Sequence, residues 1–142
     1  MTSPSLELQR AIVRVLTADS DVADLVAGRV YDAVPPETER AADTGAAWPY
    51  ISMGPSDERS DDADCIDGFE ITLQIDCWSR AVGCPEVREL AAAVRSALDD
   101  EELPLDETAM VAFAHVTTRI FRDPDGLTSH AAMTFAALIE QP

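Results

Sequence analysis

The chain has 142 residues, the length of one domain, and a formal net charge of −17 from 27 acidic against 10 basic residues, all of the latter arginine. Apolar residues make up 46% of it, enough for a core that needs no disulfide or metal staple, which argues against a disordered chain. The acidity disfavours ordinary binding to DNA, RNA or anionic lipid. It leaves a solvated protein, a binder of cations or basic partners, or a wall that DNA passes without sticking.

Ser3-Pro4 reads as a helix start, with serine as cap and proline at the first helical position. Leu8, Ile12, Val15 and Leu16 then recur at helical spacing, with Arg10 and Arg14 outward, and the helix is expected to end near Asp19. Residues 21–27 predict a further short turn of helix stopped by Gly28, and 29–34 a short strand ended by Pro35-Pro36. The polar, small-residue stretch 37–47 predicts a loop. Tyr50, Ile51, Ser52 and Met53 predict a second short strand closed by Gly54-Pro55.

Residues 56–64 are acidic, with Asp57, Glu58, Asp61, Asp62 and Asp64 relieved only by Arg59, and predict a solvated loop. Next comes the clearest signal in the chain. Phe69, Ile71, Leu73, Ile75 and Cys77 alternate with Glu70, Thr72, Gln74 and Asp76, and Trp78 follows. Period-two patterning of that length predicts an antiparallel strand over 68–78, with one face buried and one wet.

Pro85 opens a second major helix, with Val87, Leu90, Ala91, Val94, Ala97 and Leu98 on one face, ending over 99–102. A short extended piece spans 103–105. Strands over 111–122 and 127–139 are joined by Asp123-Pro124-Asp125-Gly126, a structural turn that makes them a hairpin. If that hairpin closes tightly, 122 faces 127, Arg119 lies opposite His130 and His115 opposite Thr134. The expected fold is therefore α+β: a single domain over 1–142, an antiparallel sheet with two helices packed on one face.

No constellation for chemistry emerges. Cys65, Cys77 and Cys84 are odd in number and form no C-x-x-C pair, so neither a disulfide framework nor a zinc site is expected and a reduced compartment fits. Aligning Gly68 with the invariant glycine of a calcium loop puts Ala63 and Cys65 at ligand positions and Gln74 at the closing glutamate, so that motif fails. His115 and His130 read as half-buried sheet residues that do not meet. No nucleophile elbow, dinucleotide fingerprint or phosphate loop is present, so no catalytic residue, cofactor or metal is expected. No stretch reaches the roughly 18 apolar residues of a membrane span, and no secretory signal is visible. Trp48, Tyr50 and Trp78 flank strands and read as core or as a subunit interface. An open antiparallel sheet also leaves two unpaired edges, which a closed ring of identical subunits would satisfy.

Several pieces together resemble the tail completion, or tail terminator, proteins of tailed phages and gene transfer agents. They are the opening amphipathic helix ending near Gly28, Arg29-Val30-Tyr31-Asp32-Ala33-Val34-Pro35, and Trp48-Pro49-Tyr50-Ile51-Ser52-Met53-Gly54. Ile75-Asp76-Cys77-Trp78-Ser79-Arg80 before an alanine-rich helix and Phe121-Arg122-Asp123-Pro124-Asp125-Gly126 before a closing strand complete the set. The resemblance implies a non-enzymatic virion protein, assembled in the host cytoplasm into a homo-hexameric ring. That ring would cap the head-proximal end of the tail tube, contact the tube protein and the head–tail connector, and let DNA through its lumen without specific binding or membrane contact. The departures from the family pattern are the longer 37–47 stretch and the strong acidity. Asp57, Glu58, Asp61, Asp62 and Asp64 are the candidate lumen lining, since a negative wall repels phosphate. The alternative is an acidic DNA mimic that inhibits a host nucleic-acid-binding protein. Such a decoy calls for carboxylates along an extended face, whereas here they bunch in 57–64 and 99–107.

Overall fold

The computed structural model describes residues 3–62, 67–99 and 103–141. In chain order the elements are α1 (Pro4–Ala18), α2 (Ser20–Val26), β1 (Val30–Tyr31), α3 (Glu37–Thr44), β2 (Tyr50–Ser60), β3 (Asp67–Ser79), α4 (Pro85–Asp99), β4 (Ala109–Arg122) and β5 (Ser129–Gln141). The five strands form one sheet in the order β1-β2-β3-β5-β4. All neighbours pair antiparallel except β1, which runs parallel to β2 through Val30↔Ile51 and Tyr31↔Ser52. The fold is the expected single-domain α+β, with one parallel pair added.

Local chemistry fixes the helix ends. The Ser3 hydroxyl accepts from the Leu6 amide and Pro4 occupies the first turn of α1. Asp19 ends α1 and caps α2, its carboxylate accepting from the Val22 amide. Leu8, Ala11, Ile12 and Leu16 of α1, Val22 and Val26 of α2, and Val87, Leu90, Val94 and Leu98 of α4 form one buried cluster with the sheet. The sheet contributes Ile71, Leu73, Ile75 and Cys77 from β3 and Ala131, Met133, Phe135, Ala137 and Ile139 from β5. The register pairs these sets, Leu73↔Phe135 and Ile75↔Met133 at the centre, so the alternation of 69–77 marks the face the helices cover.

Four sequence expectations need correction. The 37–47 stretch is not a loop: α3 occupies Glu37–Thr44, with Glu37 and Glu39 in its first turn and Gly45 in the left-handed conformation after it. What holds it is a tie to its own flanks, because Arg40 is buried and donates to the Ala47 and Pro35 carbonyls at 3.1 and 2.7 Å. The first strand shrinks to two residues. The acidic 56–64 stretch is not wholly a loop, since β2 runs on to Ser60 in register with β3 after a bulge between Met53 and Ser56. Finally, the β4–β5 hairpin closes two residues wider than expected. Arg122 pairs with Ser129, Phe121 with His130 and Arg119 with Ala132, and a bulge between His115 and Thr117 then brings His115 opposite Phe135; a second bulge falls between Met110 and Ala112.

A buried carboxylate ties α1 to the start of β4. Glu7 accepts from the Glu107 amide at 2.7 Å, from the Thr108 amide at 3.2 Å and from the Thr108 hydroxyl. Burial works to raise the Glu7 carboxyl, but the bonds from Thr108 and from the backbone amides outweigh it and hold its pKa below the ordinary value. No helix among the described residues is long and apolar enough to cross a membrane.

Candidate functional site

The sheet carries two distinct regions, one at each end of the strands, the first on the face turned away from α1, α2 and α4. The first is an aromatic row. Register places Tyr50 beside Trp78, Trp78 beside His130 and His130 beside Phe121, one residue from each of β2, β3, β5 and β4. Ring centroids lie 6.1, 3.7 and 4.6 Å apart along that row. Trp48 and Tyr31 extend it past Tyr50 at 5.0 and 6.1 Å. The structure thus brings the candidate interface residues Trp48, Tyr50 and Trp78 together, with Tyr50 buried and both tryptophans half-buried.

Arginines interleave with the rings. The Arg40 guanidinium lies 4.4 Å from the Tyr50 ring centre and 5.1 Å from that of Trp48, and Arg80 stands 4.8 Å from Trp48. Arg119 lies over Phe121 at 5.5 Å. A guanidinium over a ring face gains from the ring quadrupole most where water is excluded, as for buried Arg40. Arg29, also buried, donates to the Pro49 carbonyl at 2.7 Å and the Trp48 carbonyl at 3.2 Å, fixing the segment that presents Trp48.

Beneath the row sits an ionisable pair. His130 Nε2 lies 2.6 Å from Asp76 Oδ1, which also accepts from Gln74 Nε2 at 2.8 Å. Both Asp76 and His130 are buried, so His130 is not the half-buried sheet residue its sequence context suggests. Gly54 is required here, because a Cβ at that position would stand 2.7 Å from Asp76 Oδ2. The other ring nitrogen of His130 faces Asp123 Oδ1 at 3.8 Å, a second carboxylate rather than a hydroxyl or thiol. Ser52 Oγ is engaged, accepting from Trp78 Nε1 at 2.9 Å. Cys77 lies on the opposite face, where burial pushes its thiol pKa up and keeps it protonated. The arrangement suits a fixed structural cluster rather than nucleophilic catalysis. Among the described residues no group of three or more His, Cys, Asp or Glu could hold a metal ion.

The turn beyond the row is built by its own side chains. The Asp123 amide donates to the Thr128 carbonyl at 2.8 Å and the Gly126 amide to the Asp123 carbonyl at 2.9 Å. Asp125 accepts from the Thr128 and Leu127 amides, both at 2.9 Å, and from the Thr128 hydroxyl at 2.8 Å. These bonds hold its carboxyl below the ordinary range. Pro124 stands between the two aspartates, and Gly126 has φ 71°, where a β-branched residue is strained. Because open space surrounds Gly126, Gly126→Val is expected to cost about 1–3 kcal/mol through the backbone alone. Its thermal midpoint should fall accordingly while Gly126→Asn, tolerant of this conformation, falls less; equal losses would point to a steric cause instead.

The second region is the acidic tip at the other end of the strands. Asp57 and Glu58 lie on β2, and Asp61 and Asp62 follow it; all four are exposed. Asp64 lies outside the described residues. The tip is ordered by backbone pairing: the Asp61 amide donates to the Gly68 carbonyl at 2.8 Å, and Asp62 Oδ1 accepts from the Gly68 amide at 3.2 Å. Asp67, Glu70 and Glu140 gather at the same end, with Arg59 among them. The five candidate lining residues therefore do not share one face. Asp57 pairs with Thr72 and looks to the open face, whereas Glu58 pairs with Ile71 and looks to the helix side.

Sequence reasoning misses Glu7, Arg40 and the Asp76–His130 pair. Two of the three make their partners across many residues, 101 for Glu7 and Thr108 and 54 for Asp76 and His130, whereas Arg40 reaches only 5 and 7 residues to Pro35 and Ala47 but leaves no periodic trace. The one local signal is Asp76 itself, a short carboxylate at the apolar end of a strand, directly before Cys77-Trp78.

Three comparisons with known proteins complete the picture. The model of the family described as tail completion protein gp17 matches residues 10–140. A chain from a solved structure titled as the virion of a native gene transfer agent particle is similar at 28% identity, over 99% of each chain, with a TM-score of 0.86. No curated protein matches the chain.

Proposed function

The chain belongs to the tail completion protein gp17 family, and from that premise we propose that it is a structural subunit of a tailed virion or gene transfer agent, without enzymatic activity. In this reading several copies form a closed ring, six in number, at the head-proximal end of the tail tube. The ring caps the tube, meets the head–tail connector on its other side and leaves an axial passage for DNA. The observation that carries the reading is the near-complete overlap with a chain of a gene transfer agent virion. The molecule's own physics supports it: an open sheet with two free edges, a rigid aromatic end and an acidic end that repels phosphate. The decoy alternative fits less well, because the carboxylates gather at one end of the strands rather than along an extended face.

Imaging of purified particles tests the proposal. One ring of this chain is expected where the tube meets the head, and particles lacking the chain are expected to show tubes without a defined end and heads that fail to join. A copy number other than a ring multiple, or a location elsewhere in the particle, would overturn it.

A further inference from the structure

The two free edges of the sheet are built in opposite ways. Beyond Met53 the outer edge of β2 carries a bulge, Pro55, Asp57, Glu58 and Arg59, the features that keep an open edge from pairing with another strand. At the other edge, β4 runs for 14 residues and holds no Asp, Glu, Lys, Arg or Pro from Ala109 to Thr118. Two bulges interrupt it as well, but they fall at Val111 and Val116, which are 51% and 58% exposed. Where β2 places charges, β4 places apolar side chains.

The surface next to that edge is flat and uncharged. Ala112, Ala114 and Thr117 of β4 lie on the open face opposite Leu138, Ala136 and Thr134 of β5. These β5 residues are half-buried and the β4 residues exposed. Short side chains there allow another backbone to come close.

We propose that the outer edge of β4, over Ala109–Thr118, is one side of the contact between neighbouring copies of this chain, the other side being a different surface of the neighbour, as ring closure requires; this rests on the proposed ring. Charge selects the occupant. Two chains that each carry −17 repel, and they can meet only where the contact brings few carboxylates together. Of the two sheet edges β4 meets that condition better, because its 109–118 span holds no carboxylate and Glu140 stands beside Ala109 only at its start. A basic partner would be drawn instead to the acidic tip with Glu58, Asp61, Asp62, Asp67 and Glu70. The unpaired N–H and C=O groups of the edge supply hydrogen bonds to an added backbone segment, and Val111 and Val116 supply apolar contact.

The test places a photoreactive benzoyl-phenylalanine at position 116 and irradiates assembled particles. Adducts at multiples of the 15.3 kDa chain are expected. Adducts to a different protein, or none, would overturn the proposal. Counting copies in the same particles keeps the two ideas apart: a ring without chain–chain adducts sinks the β4 contact alone, whereas a missing ring sinks the proposed function. As a second arm, Val111→Asp with Val116→Asp should keep the wild-type circular dichroism and yet be excluded from particles; normal incorporation of a folded double variant would also overturn it.

Discussion

Glu7→Ala is expected to destabilise the protein by about 3 kcal/mol, because removing the carboxylate leaves two backbone amides and one hydroxyl at the start of β4 without their acceptor in a buried place. In a domain of this size that corresponds to a fall in melting temperature of roughly 6–12 °C. Glu7→Gln should lose less, since the amide keeps one acceptor oxygen. The difference between wild type and Glu7→Gln also carries a pH signature. The folded pKa of Glu7 is depressed below the ordinary 4.5, so the carboxylate's contribution is fully present above that value. It is lost as the pH falls from 4.5 through the lower folded pKa, and the two melting curves should converge there. A Glu7→Ala variant that melts within a degree of wild type, or a difference that does not depend on pH below 4.5, would mean that the segment before β4 is held by other contacts. The position matters for assembly as well, because this segment launches the β4 edge.

How much of this was legible in the chain depended on the range of the interactions. The alternation of 69–77 is local, and it correctly marks β3 and its buried face because period-two burial leaves a repeating trace in sequence. The helix starts at Ser3-Pro4 and Pro85 are equally local, since capping uses residues within one turn. α3 leaves no such trace. Its residues are polar and small, and what fixes it is one buried arginine stacked on Tyr50 and bonded to carbonyls on both flanks. The length of β2 is hidden for a related reason: its outer half, 56–60, is exposed on both faces, so no burial pattern is written there, and only pairing with β3 makes it a strand. The hairpin register is set by Asp125 bonding back to Leu127 and Thr128, which absorbs two more residues into the turn than the Asp-Pro-Asp-Gly motif suggests.

The same logic separates the parts of the candidate site. The aromatic residues Trp48, Tyr50 and Trp78 stand out by type, yet the row that unites them needs His130 and Phe121 from the far hairpin. The acidic residues stand out by composition, but composition does not say which way each one points. β2 turns Asp57 and Glu58 to opposite faces, so a run that reads as one patch becomes two.

That division gives the proposed channel lining a sharper test. Neutralising Asp57, Asp61, Asp62 and Asp64 to Asn and Glu58 to Gln together should leave folding nearly intact. The four described carboxylates are exposed, they repel one another, and Asn at 62 keeps an acceptor for the Gly68 amide. Tube capping should also survive, because none of the five residues belongs to β4. DNA ejection is expected to slow, since phosphates then meet a wall that no longer repels them. The effect should be largest near 0.01 M salt, where charges are felt over about 30 Å, and should vanish near 1 M, where screening cuts that to about 3 Å. Unchanged ejection at both salts would remove the tip from the channel. The single variants then assign the face. If the open face of the sheet borders the passage, Asp57→Asn alone should slow ejection at low salt and Glu58→Gln should not. If the helix side borders it, the order reverses, because neighbouring residues on one strand cannot both look into the same lumen.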